Sequence, residues 1–489
     1  MRWKLHRFGP PLYICLALLC AVPILTSAVP LGVDTLNHLA RIHIRAHIGT
    51  DVDLARLFSI RTELRPYLGM DLLLTPFATI VPTVLVGRVY LLSLVLGLIA
   101  AIGLLQRVFT GAIELGPFAG GLIAYNGLLA WGLINYLLGL ITALVAFAAW
   151  HAWRDRRWPV RLAIFTVLAT VIYFTHLLAF VMYGLLVASY EGFGRKQPWH
   201  TPLQDWLVLV GQAIPALVLW SLLSPSVANI PPDISYDIDA IAPTLLSPFL
   251  FSGAVGGFEA GQVLGPLVAL GTCISLLLKY TTLRRELAAP AIFFLFLAIV
   301  TPTRAFSIDI LDYRFPLTAF CFIAAGLRLT KTARRFAPLV IVALMALTAV
   351  RVVDVSTVMS RCDRQYAELR DGFAPVPRGA ELTTVLERAE PERAATCTDL
   401  PIYNHMAQLI TIDRSGYASG IFSWTTGITA RGGRATDTIP ISAHAFLTPP
   451  LSRYVVWFHL GRERPAPAGL ALLRHGGFFD LWAVPSRYP

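Results

Sequence analysis

Long apolar runs separated by short basic clusters dominate the chain, a period-free pattern expected of helices that are solvated by lipid. The first run, residues 11–30, follows the basic MRWKLHR and is long enough for one span, for which about 20 apolar residues suffice. It is expected to be retained as a helix rather than cleaved, although Thr26, Ser27 and Ala28 are small enough for a cleavage site. The chain is expected to re-enter near Tyr67, turn at Gly87 and Arg88, and return over 89–107. Residues 116–153 hold more apolar positions than one crossing needs and are interrupted by Asn126, Gly132 and Asn135. Residues 118–131 are therefore expected to form a half-helix buried in protein, ahead of a crossing over 133–152. A hairpin over 161–191 places His176 at its outer tip. Further crossings are expected over 202–223, 263–279, 287–302, 314–330 and 336–353.

The basic clusters decide the sidedness. With Arg2, Lys4 and Arg7 on the cytoplasmic side, WRDRRWPVR (153–161), Arg195 with Lys196, LRR (283–285) and KTARR all fall on that side, giving about 11 crossings. Residues 1–353 are then a transmembrane domain, with an outer loop over 31–66. Residues 354–489 form a small extracytoplasmic α/β domain: a helix continuing from the membrane to 372, a strand at RYVVWFHL, and a hairpin over 470–484 turning at His475, Gly476 and Gly477. The fold class is mainly α and polytopic, in a bacterial inner (plasma) membrane.

Composition agrees: 56% of residues are hydrophobic and 14% charged, against about 25% charged in soluble domains. The net charge of +11 lies in topology-setting clusters, so nucleic acid is not an expected partner and the lipid bilayer is. The six cysteines have no metal-ligand spacing. Cys362 and Cys397 stand in the tail, where an oxidising compartment would allow a disulfide; the spacing leaves pairing and free thiols both open.

Candidate chemistry gathers at one membrane face. In GVDTLNHLARIHIRAHIG (32–49), Asp34, His38, Arg41 and Arg45 recur at spacings of four, three and four, so a helix projects all of them from one side. Asp34 is the leading candidate for a general base, with His38 and Arg41 beside it; the competing reading is a helix cap with basic residues on lipid headgroups. Asp71 lies just inside the re-entry point, where an acid is a functional candidate. His176, Arg304, Asp312 and Arg314 complete the candidate substrate-binding set. Asp51 and Asp53 form a D-x-D that suits a divalent metal ion, but a helix start is the favoured role. His405 and Trp424 in the tail read as structural, with Trp424 also able to stack on a sugar.

A first helix, a long outer loop opening with an acid, many spans, and a later loop ending in Arg314, Phe315 and Pro316 together resemble the GT-C superfamily of integral membrane glycosyltransferases. The resemblance covers residues 1–353 and the placement of the tail. It implies a polyprenyl-phosphate-linked sugar donor, transfer to an extracytoplasmic acceptor with inversion, Asp34 as the catalytic acid of the first loop, and Arg304 or Arg314 on the phosphate. The chain departs from the pattern in giving Asp34 no acidic neighbour, which leaves open whether a divalent metal ion takes part. The rival classes are a transporter or flippase, which the absence of an internal repeat disfavours, and a non-catalytic polysaccharide assembly factor.

Overall fold

The computed structural model describes residues 5–61, 66–195, 203–223, 233–251, 259–306, 308–387, 396–421, 428–431, 439–441, 452–461 and 469–485. Trp424 lies outside them. The first apolar run forms α1 (Leu5–Thr26), and the outer loop forms α2 (Thr35–His47), α3 (Val52–Leu57) and a short strand β1 (Phe58–Ile60). Then come α4 (Leu68–Ala78), α5 (Thr83–Thr110), α6 (Gly116–Leu122), α7 (Gly127–Ala130) and α8 (Ile134–Ala152). The predicted hairpin is α9 (Trp158–Thr175) and α10 (Leu177–Ser189), broken at His176. It is followed by α11 (Leu203–Leu223), α12 (Ile241–Leu246), α13 (Ala260–Leu277), strand β2 (Thr281–Leu283), α14 (Arg285–Val300), α15 (Arg314–Gly326), strand β3 (Leu327–Leu329) and α16 (Ala337–Gly372).

Among the described residues, seven helices are long and apolar enough to cross a membrane: α5, α8, α9, α10 with the π-helical turn after it, α11, α13 and α16. The chain is thus a multi-pass membrane protein. Leu267, Leu270 and Leu277 on α13, and Leu339 and Val342 on α16, are exposed apolar surface consistent with a lipid bilayer.

Two expectations about the early helices need correction. The segment from Tyr67 does not cross and turn at Gly87: α4 has 11 residues, roughly 17 Å of helix against about 30 Å of hydrocarbon. The turn comes at Pro82, whose missing N–H and fixed φ suit the start of a helix. Gly87 instead lies inside α5, where its missing side chain admits Leu39 of α2; a Cβ there would meet that leucine's methyl carbon at 2.7 Å. The start of α5 therefore stays beside the outer loop, with Thr83 Oγ1 3.0 Å from His43 Nδ1.

Its far end lies on the opposite side of the bundle. Just past α5, Glu114 pairs with Arg328 (3.9 Å) and Arg334 (3.4 Å), in the region that carries KTARR. Residues 116–131 are accordingly no half-helix that returns to its own side. Phe118 stacks on Tyr13 near the start of α1, Tyr125 donates to the Cys20 carbonyl further along it, and Trp131 reaches Asp34. The segment runs the depth of the bundle as two short helices. Asn126 makes the break tolerable by capping α7 through Leu129 N–H and donating its amide to the Ile123 and Ala124 carbonyls.

The pairing of β2 with β3 ties the end of α13 to the end of α15, two ends that the charge pattern assigns to one face.

The tail adds β4 (Glu381–Glu387), α17 (Tyr403–Met406), α18 (Leu409–Arg414), β5 (Tyr417–Ala418), β6 (Ile428–Ala430), β7 (Ile439–Ile441), β8 (Tyr454–Phe458), β9 (Ala471–His475) and β10 (Asp480–Ala483). A six-stranded mixed sheet runs β5-β4-β8-β10-β9, with β7 also on β4; β5, β7 and β8 are parallel to β4, while β8, β10 and β9 alternate. The strand and hairpin read from the sequence are β8 and β9–β10. The boundary drawn after 353 falls inside the 36-residue α16, which runs on without a break, as expected for a helix that continues to 372. A disulfide joins Cys362 to Cys397.

The tail is sewn to the outer loop. Strand β1 pairs antiparallel with β6, Phe58 opposite Ala430, and Ala40, Ile44, Leu54, Leu57 and Phe58 share a small core with Tyr417, Ile421 and Ile428. The sequence DVDLARLFSIRTELRP (51–66) reads as short amphipathic helices lying at the membrane interface. Leu54, Leu57 and Phe58 are instead buried against the tail, which removes apolar area from water with close packing, while Val52 stays exposed.

Candidate functional site

The Asp34 loop is fixed from two sides. Asp363 of α16 accepts hydrogen bonds from the N–H groups of Ala28 (2.8 Å) and Val29 (3.0 Å) and from Ser27 Oγ (3.1 Å), capping the exit from α1. On the other side, Val33 N–H donates to the Ala130 carbonyl and Asp34 N–H to that of Trp131. Gly132, at φ +76°, permits this approach: a Cβ there would lie 2.5 Å from Asp34 N. Asp34 precedes α2, yet its side chain makes no cap hydrogen bond, so the capping reading does not hold. Asp51 shows what a cap looks like: its Oδ1 accepts from the N–H groups of Asp53 (3.0 Å) and Leu54 (3.3 Å).

The half-buried Asp34 carboxylate faces the tail. His405 of α17 places Nε2 3.4 Å from Asp34 Oδ1. One amide of α2 sets the state of that ring. Asn37 Nδ2 donates to the Gly420 carbonyl at 2.7 Å, which fixes the orientation of the amide, and the same nitrogen lies 2.9 Å from His405 Nδ1. His405 Nδ1 must therefore accept, and the neutral ring carries its proton on Nε2, aimed at Asp34. His405 reads as structural in the sequence because its partners lie more than 360 residues away, and nothing local marks it.

The rest of the α2 face turns elsewhere. Arg41 Nε and Nη2 donate to Asp71 Oδ1 at 2.9 and 2.7 Å, and Arg45 Nε lies 3.0 Å from Oδ2. Asp71 and Arg41 are buried, so this triad clamps α2 to α4. Neither residue is brought onto Asp34, and basic residues lying on lipid headgroups are not what α2 presents. His38 is buried among Arg41, His405 and His176, and burial first, with those groups adding to it, holds its pKa well below the ordinary imidazole value. It is neutral near pH 7.

Behind His38 lies an aromatic and cationic group. His176 caps α10, its Nδ1 accepting from Leu178 N–H at 3.1 Å. Its ring stands edge-on to Tyr67 (4.7 Å) and Tyr136 (5.4 Å). Tyr67 is held at φ +76°, a left-handed conformation uncommon for a bulky side chain. The Arg314 guanidinium lies over Tyr136, 5.6 Å from the ring centroid, and Nη1 donates to the carbonyls of Asp309 (3.2 Å) and Ile310 (2.6 Å). Arg314 is buried and its Nε has no hydrogen-bond partner. No carboxylate among the described residues lies within 4.0 Å of it, but Asp34 and Asp312 are both close enough to act on its charge. Asp312 is buried, with Oδ2 accepting from Thr244 Oγ1 at 2.8 Å. Arg304 is not part of this group: it is half-buried and pairs with Asp233 (2.7 Å) and Asp309 (3.5 Å).

Asp51 and Asp53 do not fit a metal ion. Besides its capping bonds, Asp51 accepts from Arg378 and Ser415 Oγ at 2.6 Å each, while Asp53 lies against Arg56 and Arg378. Burial pushes the Asp51 carboxyl up, but its four hydrogen bonds outweigh that and hold it below the ordinary carboxylate range. A groove of about 410 Å³ opens there, lined by His43, His47, Asp51, Arg378 and Asp413. It lies at the far end of α2, roughly 20 Å of helix from Asp34, and does not include that acid.

The histidines give a pH prediction. Burial, then the neighbouring His47 and Arg378 against the opposing pull of Asp51, lowers His43 to about 4. Between that value and about 6.5 the unfolded chain binds protons that the folded chain excludes, so ΔG of unfolding rises with pH there and falls on acidification. The thermal midpoint in detergent is expected to drop from about pH 7 to about pH 5, and His43→Gln to flatten part of that drop. An unchanged slope in the variant would remove His43 from the effect.

No protein family model matches the chain and no curated protein matches it, so the geometry of Asp34, His405 and Arg314 is what bears on function.

Proposed function

We propose that the chain is a membrane glycosyltransferase of the GT-C type, moving a sugar from a polyprenyl-phosphate donor to an extracytoplasmic acceptor, with Asp34 as the base. The observation that carries this reading is a buried arginine without a described counter-ion, Arg314, within electrostatic reach of a half-buried carboxylate that caps nothing. An uncompensated buried cation is costly, by several kcal/mol in real proteins. An anionic group arriving from lipid would relieve that cost. In this reaction the acceptor hydroxyl gives its proton to Asp34 as its oxygen bonds to the sugar carbon. The bond from that carbon to the donor phosphate breaks, and the electron pair leaves on the phosphate, which Arg314 receives. Attack opposite the leaving group inverts the carbon. His405 orients Asp34 through its Nε2–H, neutral His38 and His176 lie behind it, and Arg41 with Asp71 holds α2 in place.

The same reading takes about 11 crossings, with the broken segment 116–131 standing in for α4, so that the basic clusters remain on the cytoplasmic side. The Cys362–Cys397 disulfide supports placing the tail in an oxidising compartment such as the periplasm. The test is turnover: purified protein in lipid nanodiscs, given a radiolabelled polyprenyl-phosphate sugar and cell-envelope glycan acceptors, is expected to release polyprenyl phosphate. The same protein in sealed proteoliposomes showing uptake or counterflow of an unmodified solute, with no donor cleavage, would establish a transporter or flippase instead.

A further inference from the structure

The tail carries a second cluster of reactive groups, remote in sequence from Asp34 and independent of the proposed transferase activity. In its sheet β10 lies between β8 and β9, and Asp480 sits directly opposite His475 on one side and Trp457 on the other. Two residues beyond Trp457, and so on the same face by strand alternation, is His459. The result is two imidazoles and a carboxylate converging on one face, with a donor atom from each within 4.8 Å of the others. His475 Nδ1 lies 2.7 Å from Asp480 Oδ1, and His459 Nε2 lies 4.0 Å from the same oxygen. The two rings are nearly parallel, 5.9 Å apart.

His459 is the telling member. It is 6% exposed, and its Nε2 is buried without a hydrogen-bond partner, pointing at the carboxylate from beyond bonding distance. A buried imidazole nitrogen aimed at an acid it does not reach is what a ligand set looks like before its ion is bound. From this geometry we infer that His459, His475 and Asp480 form a binding site for one divalent ion of the borderline class, zinc first, with a fourth position open to water or another ligand.

Tetrahedral zinc with bonds of about 2.1 Å spaces its donors roughly 3.4 Å apart. The present separations of 2.7 and 4.0 Å bracket that value, and exposed His475 can supply most of the adjustment. Each ring must change tautomer. His475 moves its proton from Nδ1 to solvent-facing Nε2. His459 now accepts from Gly461 N–H at Nδ1 (3.2 Å) and carries its proton on Nε2; binding through Nε2 moves the proton to Nδ1 and gives up that one long hydrogen bond. Both rings remain neutral, so binding weakens on acidification as they protonate.

The experiment uses the full-length, chelator-stripped protein in detergent, titrated with Co²⁺ and then Zn²⁺. One Co²⁺ per chain is expected, with the intense visible absorption of a low-coordinate site that Zn²⁺ abolishes. His459→Gln is expected to weaken binding at least about 100-fold. His475→Gln, at an exposed position where folding is not at stake, should do likewise. Absence of stoichiometric binding, or binding that survives His475→Gln unchanged, overturns the assignment.

Discussion

Asp34→Asn is expected to lower turnover about 1,000-fold while leaving the folded protein intact. General base catalysis contributes roughly 10²–10⁴-fold, so the loss corresponds to about 4 kcal/mol in the barrier. The fold should not notice, because the amide is isosteric, the carboxylate caps no helix, and Asn Oδ1 can still accept from His405 Nε2–H across the 3.4 Å contact. Backbone bonds to Ala130 and Trp131, not the side chain, hold the loop. The measurements are initial rates of donor cleavage and the thermal midpoint of the same preparation. A variant with normal turnover removes Asp34 from the chemistry. A variant whose midpoint falls in step with its activity shows that the carboxylate is a structural group.

The helix that follows Asp34 was legible because its period was: an acid, an imidazole and two guanidiniums at spacings of four, three and four predict one face, and α2 begins at the next residue. What that face does was not legible. Helical spacing says which residues share a side but not which neighbours meet each turn, and here Asp34 meets the tail while Arg41 and Arg45 meet Asp71. Asp71 looked functional for a sound reason, an acid in an apolar run, yet its two arginines satisfy it. His405, Asn37 and the Gly420 carbonyl could not be read at all, since their association depends on the tail folding back over α2.

Topology shows a similar split. The charge pattern puts the ends of α13 and α15 on one face, and the strands that follow them, β2 and β3, are paired. Counting apolar residues misplaced the early helices, because it treated the stretch from Tyr67 to Arg107 as two equal crossings. Proline at 82 leaves 28 residues to α5 and only 11 to α4. The deficit is made up by residues 116–131, where glycines and asparagine looked unable to support a crossing. They do so because Asn126 satisfies the broken backbone from within.

Arg314→Met separates a functional from a structural arginine more sharply than any other substitution. A structural cation held in an ion pair would leave a buried carboxylate stranded on removal, at about 3–5 kcal/mol. Arg314 has no such pair among the described residues; it donates to two backbone carbonyls and stacks on Tyr136. Losing those carbonyl bonds costs about 1 kcal/mol each, offset by no longer burying an uncompensated charge, and methionine fills much of the volume. The midpoint is therefore expected to move by only a few degrees. Turnover should fall about 100-fold or more, because in the proposed reaction the leaving phosphate loses the buried cation that receives it. Arg314→Lys should retain part of the activity with a raised KM for the donor, since an ammonium keeps the charge but cannot hold both loop carbonyls and a phosphate oxygen at once. If Arg314→Met collapses the fold and Arg314→Lys restores both fold and full turnover, the guanidinium is a brace for the loop before α15 and the phosphate must be held elsewhere.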